Sequence, residues 1–209
     1  MTLKTYAWRG MAAAALLAGD IARAAPSETE LHAAVTAYFG DLFRRLETVA
    51  AAAPTEQTFR AQMKPQVETV DGFFGGSLIS ADWEIRQVYF RRDFLAVGYD
   101  LKNVRELEGF RRKMAEQPGP QLSEPARGTF WQPHLISLRC PVIRDGQMVG
   151  MVSMMVRTTA FLKAVGLDTC RAYRIVCLGT EAEHSGTLSA KHREVRVALP
   201  ATEWVIQYE

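Results

Sequence analysis

Apolar residues recur at helical spacing from residue 31 to residue 49, where Leu31, Val35, Phe39, Leu42, Leu46 and Val49 fall on one stripe. Ser27-x-x-Glu30 just upstream has the form of a capping box, and Pro54 closes the pattern, so the spacing predicts one long amphipathic helix. A weaker helical pattern through Phe59, Met63 and Val67 is expected to break at Pro65. Asp71-Gly72 and Gly75-Gly76 then mark a change to extended structure. β-Branched and aromatic residues at Leu78-Ile79 and through 85–90 predict two strands, with Ala81-Asp82-Trp83 as the turn between them.

Residues 100–117 return to helical composition, with Val104, Leu107 and Phe110 on one side and Arg105, Glu108 and Arg112 on another. Pro118-Gly119-Pro120, Pro125 and Gly128 predict an irregular loop after it. Two apolar runs, 136–143 and 148–156, flank Arg144-Asp145-Gly146-Gln147, and an Asp-Gly turn between such runs is a strong hairpin signal. A short helix through Phe161 and Leu162 reaches Gly166, followed by strands at 173–178, 195–199 and 204–208. Helices first, then strands joined by tight turns, predict an α+β fold with an antiparallel sheet.

The first 24 residues stand apart. Lys4 and Arg9 precede a small apolar run at 10–19 and then Ala22-Arg23-Ala24, the order of a secretory signal peptide. The run is too short to span a bilayer, and residues 11–18 lack the polar stripe of a surface helix. The expectation is cleavage after Ala24, with Ala25 nearly as good. That leaves one domain, residues 25–209, periplasmic or secreted and without membrane insertion. The leader carries Lys4, Arg9 and Arg23 against Asp20, so the chain's net charge of +2 falls to about zero on cleavage. A neutral domain has no electrostatic basis for binding nucleic acid. Three cysteines, Cys140, Cys170 and Cys177, are too few for a disulfide scaffold. Either Cys170 and Cys177 close a small loop in an oxidising compartment, or all three are core thiols.

The segment Pro141-Val142-Ile143-Arg144-Asp145-Gly146-Gln147-Met148-Val149-Gly150-Met151-Val152 resembles the central hairpin of Cache-type (PDC, PAS-like) extracytoplasmic sensor domains. Gly76-Ser77-Leu78-Ile79-Ser80-Ala81-Asp82 resembles their first hairpin, Trp131-Gln132-Pro133-His134 the loop before the ligand-facing strand, and Trp204-Val205-Ile206 their last strand. The resemblance covers residues 28–209. It implies a long N-terminal helix packed on a five- to six-stranded antiparallel PAS-like sheet. The implied role is binding a small organic ligand between the sheet and the segment joining its second and third strands, here roughly residues 91–134. Tyr89, Arg91, Tyr99, Trp131, His134 and Arg139 are the implied ligand-binding residues. Aromatic walls with a few converging polar groups suit a small molecule, and an arginine fork suits a carboxylate.

Two departures limit what the resemblance carries. Amino-acid-binding members show an arginine followed closely by tryptophan and tyrosine after the second strand, and residues 105–112 hold no such aromatic pair, so no ligand class is implied. Members are also commonly joined to a membrane helix and a signalling module, so the expectation here is a separate, membrane-bound signalling partner.

Catalytic motifs do not emerge. The chain has no Gly-x-Ser-x-Gly, no His-Glu-x-x-His and no glycine-rich phosphate loop, and its histidines are His32, His134, His184 and His192. Glu181, Glu183, His184 and His192 read as a solvated loop around Ser185-Gly186-Thr187 rather than a metal site, and neither metal nor cofactor is expected. His134 and Cys140, six positions apart in an extended segment, lie about 20 Å from one another and could meet only if the loop folded back. Met148, Met151, Met154 and Met155 enrich the central hairpin and read as a soft core. The chain is therefore expected to be a non-catalytic sensor. The competing expectation is a structural or interaction module of the cell envelope that uses the same fold without a ligand.

Overall fold

A computed structural model describes residues 25–90, 97–127 and 134–209. The expected signal peptide, Arg91 and Trp131 lie outside the described residues.

Helix α1 (Glu28–Ala51) starts at Ser27, whose hydroxyl accepts from the Glu30 backbone N–H while the Glu30 carboxylate accepts from the Ser27 N–H. The capping box thus satisfies two N–H groups that a helix start leaves without partners. Its apolar stripe is buried along the full length of about 36 Å. Helix α2 (Phe59–Val67) continues through Pro65 instead of breaking there. Proline removes one hydrogen bond to the preceding turn, but burial of Phe59, Met63 and Val67 on a single face holds this short helix together.

Strands β1 (Phe73–Ser80) and β2 (Ile85–Tyr89) pair as expected across Ala81-Asp82-Trp83. Residues 101–107 form two short 3₁₀ turns, and α3 (Glu108–Glu116) occupies only the second half of the expected helix. The expected loop after it contains two short strands, β3 (Gln121–Leu122) and β4 (Ala126–Arg127), both paired with β5. Strands β5 (His134–Arg144) and β6 (Gln147–Arg157) form the central hairpin. Asp145 and Gly146 both take positive φ (50° and 76°), as a two-residue turn matched to strand twist requires. Helix α4 (Thr158–Val165) ends on Gly166 in the left-handed conformation.

The first sheet has six antiparallel strands, in the order β2-β1-β6-β5-β3 with β4 also on β5. Together with α1 it gives the expected α+β, PAS-like architecture. The C-terminal strands add something the sequence did not separate out. Strands β7 (Tyr173–Cys177), β8 (Thr180–Ser185), β9 (Arg193–Leu199) and β10 (Thr202–Tyr208) form a second sheet, ordered β8-β7-β10-β9. The segment around Glu181, Glu183 and His184, expected to be a solvated loop, is the edge strand β8 of that sheet.

Helix α1 lies across both sheets. Near its N-terminus the Pro26 carbonyl accepts from Arg193 and Tyr208, and Phe39 meets Trp204 edge-on with ring centroids 5.2 Å apart. Near its C-terminus the Ala53 carbonyl accepts from Arg144 at the hairpin end. One core therefore joins the helix, one face of the first sheet and the inner face of the second. The opposite face of the first sheet carries a second, smaller cluster: Ile79, Ile85, Val88, Met114 and Met151, with Trp83, Phe90, Tyr99, Leu101, Phe110 and Met148 around it.

Candidate functional site

That second cluster surrounds a row of polar side chains that crosses the sheet. Gln121 on β3 pairs with Arg139 on β5, Arg139 with Ser153 on β6, and Ser153 with Ser77 on β1. Alternation along each strand sends these four side chains to the face away from α1. Gln121, Ser153 and Ser77 are buried, at 5%, 4% and 5% exposure. Apolar rows border them: Met151 and Ile79 on one side, and Met155 with Gly75 on the other. Gly75 is required there, because a Cβ would sit 1.8 Å from the Phe90 ring that packs over it.

Arg139 is the one formal charge in this row. Its guanidinium lies over the Phe110 ring, 4.4 Å from the centroid, and Phe110 in turn meets Trp83 edge-on at 5.6 Å. Part of the Arg139 side chain still reaches the surface, yet the guanidinium is packed around by protein. That burial pulls its pKa down to about 10, opposed by the field of the exposed Glu124 carboxylate. Among the described residues Arg139 makes neither a hydrogen bond nor an ion pair. Gln121's side-chain amide likewise finds no partner there. The Ser77 and Ser153 hydroxyls bond to each other at 2.6 Å, and the second O–H of the pair has no acceptor among the described residues. The row is thus a set of polar groups beside a cation that has no ion-pair partner among the described residues, bordered by Phe110 and Met114 of α3.

Of the six residues named from sequence, this site holds two. Arg139 is central, and Tyr99 lies in the surrounding cluster, its carbonyl accepting from the Ile85 N–H. Tyr89 faces the other way. It pairs with Gly76 on β1 and packs against Phe73 and the α1 core, since the row that contains Ser77 reaches Val88 instead. His134 shares the parity of Ile136 and Leu138, and its Nδ1 bonds to Glu183 on β8, tying the two sheets together away from Arg139. Arg91 and Trp131 are outside the described residues. Ser77, Ser153, Gln121, Phe110 and Trp83 were not anticipated; the available signal was a lone serine in the middle of each of two apolar strands.

A groove of about 450 Å³ opens elsewhere, between Pro54, Thr55 and the Val142, Arg144 and Val149 end of the hairpin. Its cations are engaged, Arg86 with Asp82 and Glu84 and Arg144 with the Ala53 carbonyl. The candidate site is therefore the Arg139 row.

The cysteines are poorly placed to act as nucleophiles. All three cysteines are free thiols, with burial pushing Cys140 and Cys177 up to about 12 and Cys170 upward. Such thiols carry essentially no thiolate near neutrality. Among the described residues no three metal-ligating side chains converge, and no helix is long and apolar enough to cross a membrane.

No family model matches the chain, and no curated protein matches it. Solved structures do. An extracellular ligand binding receptor from Desulfohalobium retbaense superposes with a TM-score of 0.70 at 16% identity, over 87% of this chain and 39% of that one. The ligand-binding domain of the Pseudomonas aeruginosa amino-acid chemoreceptor PctC, in complex with GABA, gives 0.61 at 14% identity over 86% of this chain and 95% of that one. The ligand-binding domain of the Pseudomonas fluorescens chemoreceptor CtaA, in complex with L-valine, gives 0.63 at 18% over 86% and 91%. This chain thus spans well under half of the first protein and about nine-tenths of the other two domains. At these identities the likeness is one of fold: the protein has the architecture of chemoreceptor ligand-binding domains, the PAS-like sensor fold to which the Asp145-Gly146 hairpin pointed.

Proposed function

We propose that this protein is an exported, non-catalytic sensor module that binds a small anionic organic molecule against the Arg139 row and reports occupancy to a separate membrane-bound signalling protein. The observation that carries this reading is Arg139 itself. A guanidinium packed among protein groups with no ion-pair partner among the described residues is costly, and a bidentate anionic group would offset that cost. The neighbours in complex with GABA and L-valine hold ligands that bear a carboxylate on the same fold, which supports a carboxylate group against Arg139 here. Tyr99, Phe110 and Trp83 supply the aromatic wall, and Arg91 and Trp131 are proposed to border the site from the adjoining segments.

Two hydrogen bonds support a route for the signal. Lys113 on α3 donates to the Ala201 carbonyl at 2.6 Å, and the Leu122 N–H on β3 donates to the Pro200 carbonyl at 3.0 Å. The elements that cover and flank the row are therefore bonded to the β9–β10 turn of the second sheet, on which the N-terminal half of α1 rests. A ligand that displaces Phe110 from Arg139 moves α3, and with it this turn and the seat of α1.

A melting-shift screen of the purified protein against carboxylates, phosphates, sulfonates, amines and neutral sugars tests the reading. Ligand at 100 times its Kd adds about 2.7 kcal/mol, a shift of several degrees for a protein of this size. Anions alone should shift the wild type, and Arg139→Gln should abolish the shift. A folded, cooperative protein that responds to no anion would favour the ligand-free interaction module instead.

A further inference from the structure

We infer that this chain pairs with a second copy of itself through the edge of strand β9, an interaction that goes beyond the ligand-binding reading and does not depend on it. An exposed strand edge offers unpaired N–H and C=O groups to another strand, and folded proteins commonly blunt such edges with bulges or by keeping them short. The other described sheet edges are blunted in this way. Strand β2 carries a bulge against β1 at Leu78/Ile79, β8 carries one against β7 at Ile175/Val176, and β3 and β4 are each two residues long. Strand β9 differs: its seven residues pair with β10 without a shift in register, and among the described residues no strand pairs with its other side.

The register fixes which groups face outward. Leu199 pairs with Thr202 across the turn Pro200-Ala201, so these two residues exchange both backbone bonds, and alternation gives the same role to Val197, Val195 and Arg193. The intervening Glu194, Arg196 and Ala198 point their N–H and C=O groups away from β10, and all three are exposed. Two antiparallel copies of β9 therefore bond through these residues, and charge selects the register. A two-fold axis through Arg196 sets that residue against itself, which is repulsive. An axis through Val195 sets Glu194 of each copy opposite Arg196 of the other, as bonded pairs with both side chains on the outer face. The contacts Arg196 already makes, with Glu194 and Glu203, are between exposed groups and exchange at little cost. Pairing in this register joins two four-stranded sheets into one. Arg193 on the same strand donates to the Pro26 carbonyl ahead of α1, so the axis also relates the seats of the two α1 helices.

An interface of this size lies at the weak, transient end, so the test is sedimentation velocity of the purified protein from about 1 to about 500 µM. The wild type should show a dimer fraction that rises with concentration. Glu194→Arg and Arg196→Glu each set like charges opposite one another across the axis, and each should weaken the dimer by about tenfold or more. An equimolar mixture of the two variants restores opposite charges at both pairs and should restore the dimer. A wild type that stays monomeric throughout, a dimer that survives either single reversal, or two cooperatively melting variants whose mixture stays monomeric would overturn the proposal. Should a single variant fail to melt cooperatively, the double variant Glu194→Arg with Arg196→Glu decides, since it keeps opposite charges across the axis: a folded double variant that does not dimerise overturns the proposal as well.

Discussion

Replacing Arg139 by methionine should make the empty protein more stable while destroying its binding. Burial lowers the guanidinium from its ordinary 12.5 to about 10, and at 1.36 kcal/mol per tenfold change in acidity this corresponds to a cost of about 3 kcal/mol. Methionine removes that cost and keeps most of the side-chain volume, but it gives up the contact with the Phe110 ring, worth about 1 kcal/mol. The net gain is about 2 kcal/mol, or roughly 4–8 °C in Tm for a chain of this size. The pH dependence has a definite sign. A base whose folded pKa is depressed imposes its full penalty below that value and loses it as pH rises toward the unfolded value. The gap between Arg139→Met and the wild type should therefore be flat from pH 6 to 9 and narrow above about pH 10. Scanning calorimetry of both proteins, with and without a carboxylate that stabilises the wild type, reads all of this. A variant that melts several degrees below the wild type, or one that a carboxylate still stabilises, would refute the proposal that Arg139 is a costly buried cation kept for a ligand.

Ser153→Ala leaves Ser77 without its bonding partner in a buried setting and should cost about 1–3 kcal/mol by denaturant unfolding, whereas adding Ser77→Ala should recover much of the loss. Gly75→Ala places a methyl inside the Phe90 ring and should destabilise by about 1–3 kcal/mol, with no comparable effect from alanine at the open position Gly109. The Glu209 carboxylate, held down to about 2 by hydrogen bonds from Ser189 and Arg171, contributes stability that is present above the ordinary carboxylate value and lost as pH falls toward 2. Glu209→Gln should accordingly flatten the decline in Tm between pH 4.5 and 2, and an unchanged decline would count against the bonding pattern. Cys140 and Cys177 should resist a thiol reagent at pH 8 in the native protein and react at once in denaturant, and rapid native labelling of either would contradict their burial.

The long helix, the first hairpin and the central hairpin were legible in the sequence because each is specified locally: by a capping box, by 3.6-residue spacing, and by Asp-Gly at a turn that needs two positive φ values. The β7–β8 hairpin was not legible, because its turn is Leu178-Gly179 and Leu178 takes φ 48°, a conformation that leucine rarely adopts and that no sequence rule assigns to it. Strands β3 and β4 lie in a proline-rich stretch of low strand propensity and exist because the eleven-residue strand β5 has a free edge whose backbone groups they satisfy. The division into two sheets depends on β10 pairing between β7 and β9, a non-local choice that leaves no trace in any one segment.

The site shows the same limit in sharper form. Whether a strand residue belongs with Arg139 depends on its parity and on which residue of the next strand it faces. Tyr89 and Val88 are neighbours in sequence, yet only Val88 lies in line with the row, because β2 pairs with β1 through Ser77↔Val88 and Gly76↔Tyr89. His134 was an attractive candidate for its chemistry and is excluded by the same alternation, five residues from Arg139 on the same strand. Arg139 was named through the family resemblance, and its place as a cation in the middle of an apolar strand contradicts the pattern around it. Rules of burial alone would put an aliphatic residue there and gain stability, so a charge retained at that point needs a reason outside folding, and departures of this kind concentrate where a protein binds something. The proposed ligand meets that need: a carboxylate held by Arg139 would offset the cost of burying it and so couple the stability of the sheet face to occupancy.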